Sequence, residues 1–174
     1  MKTVRFLIIF LMSLGFFSVS AEAQKKKPAK KPVPKPVVTT TASFGDVKTA
    51  KEKVSNQIKN ITTFVSKLPP FVQSIEAIDR ESKTRKLQQS SIDLNNKMKR
   101  DLIQAMRNFR AGLTALETDF RTKPALRKYL LKIEGIAGYS AQSEDLAMAG
   151  RFSEAGQPLT SAAGKLTDTL AVMP

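Results

Sequence analysis

The sequence predicts an all-α antiparallel bundle of about four helices, one of them long, following a disordered basic N-terminal tether. Three observations lead there. Apolar residues from Val47 onward recur at three- and four-residue steps, the period of a helix face. No run sustains the two-residue alternation of a half-buried strand. Neither a repeat of solenoid length nor a Gly-rich phosphate loop interrupts the pattern. A chain of 174 residues has room for one ordinary domain and a tail, with a core that needs no covalent staples.

The first element is a leader. Lys2 and Arg5 make a cationic head, Phe6 to Phe17 is almost unbroken apolar sequence, and Ala21-Glu22-Ala23 has the small-x-small form that signal peptidases cut. Residues 1–23 therefore read as a signal peptide, and the expected location is periplasmic or secreted. Lysines just after the apolar run oppose translocation of that flank, so the second reading is an uncleaved N-terminal membrane anchor. Its apolar stretch is short of the roughly 20 residues a spanning helix needs. With no cysteine in the chain, a lipid-anchored lipoprotein is excluded.

Residues 24–42 read as a linker. Gln24 to Val38 holds six lysines, four prolines and no acid, so charge repulsion and missing amide donors favour an extended tether of about 45 Å. Beyond spacing, Lys25, Lys26, Lys27, Lys30, Lys31 and Lys35 are candidates for binding anionic surfaces, each cation near an anionic leaflet being worth about 1 kcal/mol.

The bundle is expected over residues 43–174. Ser43 to Asp46 offers a capping sequence, after which Val47, Ala50, Val54, Ile58, Ile61, Val65 and Leu68 form one stripe, closed by Pro69-Pro70. From Phe71 to Thr122 there is no proline and only Gly112, which predicts one long helix. Glu76 with Arg80, Asp79 with Lys83 and Glu81 with Arg85 support it as i,i+4 pairs, and Ser90 with Asp93 marks the place for a kink. Its second half carries a seam of Leu94, Met98, Leu102, Ala105, Phe109, Leu116 and Phe120, widened by Ile92, Ile103 and Met106. Pro124 opens a third helix through Leu126, Leu130, Ile133 and Ala137, and the small residues from Gly135 to Gly150 either permit close packing or interrupt it. Gly156-Gln157-Pro158 reads as a turn before a last helix with Leu159, Ala162, Ala163, Leu166, Leu170 and Met173 apolar.

Composition limits the chemistry. The net charge is +14, with no Cys, His or Trp. That removes disulfides, thiolate metal sites, cysteine nucleophiles, the serine–histidine triad and the commonest general base. Residues 80 to 132 hold 14 basic and 5 acidic side chains, whereas the chain from 133 onward holds 2 and 5. Within the basic region Lys97, Arg100 and Arg107, flanked by Lys99 and Arg110, share a face and are candidates for binding an anionic polymer. Carboxylates such as Glu117 and Asp119 are spaced to pair with Arg121 and Lys123 one turn later, so surface ion pairing is their expected role. No catalytic residue, metal ligand or cofactor site is assigned.

The expected function is thus that of a non-enzymatic interaction protein associating with anionic envelope polymer, a membrane surface or a protein partner. Nucleic acid is disfavoured, because no aromatics interleave the cations for base stacking. A holdase-type chaperone is the second reading. A glycan-acting enzyme using two carboxylates is the third, and it would need an acidic pair facing one cleft.

Overall fold

The computed structural model describes residues 41–174, which hold five α-helices, one 3-10 segment and no strand. The leader, the lysine tether and its six candidate lysines lie outside the described residues. Helix α1 is Thr41–Thr84, α2 is Gln89–Thr122, α3 is the single turn Leu130–Ile133, α4 is Ile136–Met148 and α5 is Gly156–Ala171, with the 3-10 segment Pro124–Tyr129 between α2 and α3.

Four helices pack in up-down-up-down order. Helices α1 and α2 form a hairpin fixed by Lys53 Nζ donating to Asp119 at 2.6 Å, by Phe64 meeting Phe109 edge-on at 5.0 Å, and by Lys99 donating to Asp79 at 2.7 Å. Helix α4 runs antiparallel to α2, with Ala137 near Glu117 and Glu144 near Arg107. Helix α5 returns along α1, from Gly156 beside Leu68 to Pro174, whose carbonyl accepts from Lys51 at 2.8 Å. The 3-10 segment and α3 cross the end where α1 begins and α5 finishes; Leu126, Ile133 and Ile136 seal it, fully buried.

The all-α expectation is shown, but its boundaries shift. Pro69-Pro70 does not end the first helix, which continues through both to Thr84. Ile61, Phe64, Leu68, Phe71, Val72 and Ile75 are all buried, so the apolar phase crosses the prolines unbroken. Burying Phe71, Val72 and Ile75 contributes about 1.5–3 kcal/mol each, or about 4.5–9 kcal/mol together, which offsets the roughly 3–5 kcal/mol that two interior prolines sharing one disrupted turn cost. The long helix 71–122 is correspondingly divided, at residues 85–88. Ser82 and Thr84 donate to the carbonyls of Asp79 and Glu81, local bonds that compete with continuation of the helix. No residue from 76 to 94 is fully buried and only Ile78, Leu87 and Ile92 among the large apolar ones before Leu94 are partly so, so little apolar packing holds the chain helical across the tip.

The seam of α2 also moves. Asn95, Met98, Leu102, Met106, Leu113, Leu116 and Phe120 are its buried residues, which places Met106 at the centre and leaves Leu94, Ala105 and Phe109 half-buried. After Ile133 the helical period breaks at Gly135, whose φ of 90° suits glycine alone without strain. Gly156-Gln157-Pro158 is the first turn of α5 instead of a loop. Gly156 permits a close approach there: a Cβ on it would lie 2.9 Å from Leu68 Cδ2, so the Leu68 side chain would have to shift.

Candidate functional site

The basic face of α2 is where the sequence places candidate anion ligands, and the helix period does bring Lys97, Arg100 and Arg107 to one side. Register with the neighbouring helices then decides how many stay available. Lys97 donates to Asp101 one turn on, at 2.5 Å. Lys99 crosses to Asp79 on α1, where Asn95 Nδ2 also donates at 2.6 Å. Arg107 Nε donates to Glu144 Oε1 at 2.9 Å, and Arg110 donates to Glu144 Oε2 at 3.1 Å. Of the five cations only Arg100 makes no hydrogen bond or ion pair among the described residues. The stripe is therefore largely neutralised from within.

Glu144, which no local spacing in the sequence pairs with a base, organises this side of the bundle. Its side chain is 9% exposed while both arginines are about half exposed. The hydrogen bond from Arg107 holds its carboxyl below the usual glutamate range; burial opposes this, and the bond and charge of Arg110 reinforce it. On the other side, burial is the largest influence on Asp119 and pushes it up. The bonds and charges of Lys53 and Lys123 together outweigh that and hold it below its ordinary value.

The remaining i,i+4 pairs divide. Glu81 with Arg85, Glu117 with Arg121 at 3.2 Å and Asp119 with Lys123 at 3.5 Å form; Asp79 goes to α2 instead of Lys83. No three acidic side chains gather as a metal site would require among the described residues. No helix there is long and apolar enough to cross a membrane.

An open groove of about 400 Å³ lies between α1 and the start of α5. Val65, Leu68, Pro69 and Val72 form one wall, Gly156 and Thr160 the other, and Glu76 is its single titratable group. One exposed carboxylate supplies no acid–base pair. The groove exists because α5 starts opposite Leu68 while α1 continues past it. Sequence could not show it, since it depends on where two distant helices meet.

With this geometry the class is an up-down-up-down bundle bearing a long α1–α2 hairpin and internally paired charge. Neither a protein-family model, nor a curated protein, nor a solved structure matches the chain.

Proposed function

We propose that the protein is an exported, non-enzymatic interaction protein whose lysine-rich segment associates with anionic envelope material. One observation carries this: residues 24–38 hold six lysines and no acid, directly after an apolar segment followed by Ala21-Glu22-Ala23, the small-x-small form that signal peptidases recognise. The state of α2 supports the emphasis on the segment, because a polyanion binding at Lys97 or Arg107 competes with Asp101 or Glu144 for the same charge. Contact through Lys25, Lys26, Lys27, Lys30, Lys31 and Lys35, with Arg100 as an open cation on the bundle, meets no such competition from residues 24–38 themselves. The test is affinity for a soluble anionic polymer measured against salt. Six displaced counterions give a steep fall of log affinity with log salt, and deletion of residues 24–38 flattens it. An affinity indifferent to salt, or unchanged by the deletion, refutes the proposal.

The apolar wall of the α1–α5 groove favours one second reading, a holdase that receives unfolded segments there. Suppression of a denatured client's aggregation at stoichiometric amounts supports it, and no suppression removes it.

A further inference from the structure

We infer that the end of the bundle at which the chain enters α1 is a contact surface for an anionic lipid bilayer, with Leu131 inserting at the interface and Arg127, Lys128 and Lys132 meeting the headgroups. The inference deepens the reading above by naming a lipid surface as partner and a second, folded site that contacts it.

The first argument is where apolar surface is left uncovered. The large hydrophobic side chains exposed among the described residues are Phe44 at 72%, Leu131 at 85%, Met148 at 50% and Val172 at 50%. Met148 belongs to the Arg107–Glu144 cluster through its sulfur, 3.7 Å from Arg107. The other three come from distant parts of the sequence and lie toward the same end of the bundle. Lys123 lies 3.7 Å from Asp46, two residues after Phe44; Lys51 bonds the carbonyl of Pro174, two residues after Val172; and Lys165 of α5 bonds the carbonyl of Glu134, three residues after Leu131. Single exposed hydrophobics are ordinary, whereas several at one end beside exposed charge are what an interaction surface presents.

The second argument is charge. From Arg121 to Glu134 there are five basic residues and one acid, and Arg121 engages that acid, Glu134, at 3.7 Å. Lys123 is committed to Asp46 and Asp119. Arg127, Lys128 and Lys132 are exposed and form no ion pair among the described residues. Lys128 instead lies over the Tyr129 ring, its Nζ 4.9 Å from the centroid, which leaves its charge uncompensated. Cations flanking an exposed leucine are what an anionic membrane interface recognises: the apolar group enters the acyl boundary while the charges stay among headgroups. A soluble polyanion would use the cations and leave Leu131 in water, so the leucine selects a bilayer.

The chain has no cysteine, which permits a local test on the protein as purified from cells. An environment-sensitive fluorophore is attached to Leu131→Cys, and in a separate preparation to Ser82→Cys at the opposite tip. Each is mixed with vesicles of phosphatidylglycerol and phosphatidylcholine carrying a bilayer-embedded quencher. The probe at 131 should be quenched and blue-shifted, and the probe at 82 should not. Unlabelled R127Q/K128Q/K132Q, checked for unchanged circular dichroism, should bind these vesicles about a hundredfold more weakly at low salt, near fivefold for each cation. Leu131→Gln should lose about tenfold on vesicles and nothing on polyphosphate. Vesicle binding that leaves the probe at 131 unquenched, or that the triple variant retains in full, overturns this inference while sparing the one on residues 24–38. Polyphosphate binding with no vesicle binding does the same. Failure to bind either at low salt sinks both.

Discussion

Replacing Pro69 and Pro70 by alanine tests the least expected feature of the fold. Both prolines lie inside α1 and both are exposed, so the substitution removes no core contact. Each proline lacks the amide that would bond the carbonyl four residues back, Val65 for Pro69 and Ser66 for Pro70, and each ring presses on that carbonyl. An interior proline is about 3 kcal/mol less favourable than alanine. Because the two share one disrupted turn, their costs overlap, and the double variant should gain about 3–5 kcal/mol. For a domain of this size that is an increase in Tm of about 10–20 °C, read by far-ultraviolet circular dichroism at 222 nm (an amide helix signal) and checked by urea unfolding with an unchanged slope. A variant that is no more stable than wild type, or less stable, refutes the continuous helix, since alanine in a true turn would forfeit the prolines' restriction of the unfolded chain.

Other outcomes follow from single sites. Gly112→Ala should stabilise by about 0.5–1 kcal/mol in urea titration, the gain of removing an interior helix glycine. Its new Cβ would meet only the movable amide of Gln57, at 2.8 Å. Glu144→Ala should cost about 1–2 kcal/mol: it breaks two charge-assisted bonds, but the arginines left behind are half exposed and solvated. Acid should also unfold the protein partly through Glu144 and Asp119. Both carboxyls sit lower when folded than when unfolded, so their stabilisation is complete above the unfolded values and is lost as pH falls through the folded ones. Calorimetry from about pH 6 down to about pH 2 should show Tm falling less steeply in Glu144→Gln than in wild type, and equal slopes would contradict this. Phe120→Ala, at a fully buried position, should cost about 3–5 kcal/mol.

Helix identity and core were legible because apolar phase survives in the sequence. The run through Ile61, Phe64, Leu68, Phe71 and Ile75 keeps its period across Pro69-Pro70, and it outweighed the stop signal once those side chains had partners. The break at residues 85–88 was legible only as a kink near Ser90, a few residues late. It contains no proline or glycine, and between Glu76 and Leu94 no side chain is more than partly buried, so little packing holds the chain helical there. The basic face of α2 was correctly grouped by period, but its availability was a tertiary question. Whether Arg107 faces water or Glu144 depends on the register of α2 against α4, which no local pattern encodes. Likewise Leu131 is visibly out of phase with Leu130 and Ile133, yet that it stays 85% exposed while Ile133 is fully buried depends on how the chain from Pro124 to Ile136 closes the end of the bundle.

Lys25 to Lys35 can meet envelope material only if residues 1–23 direct the chain out of the cytoplasm, and a free exported protein further requires that they are removed. N-terminal sequencing of the protein from fractionated cells tests this most directly. The account requires the exported fraction to begin at Gln24 or, with the neighbouring cleavage after Ala21, at Glu22. An intact Met1 terminus, whether confined to the cytoplasm or held in the membrane, would contradict it.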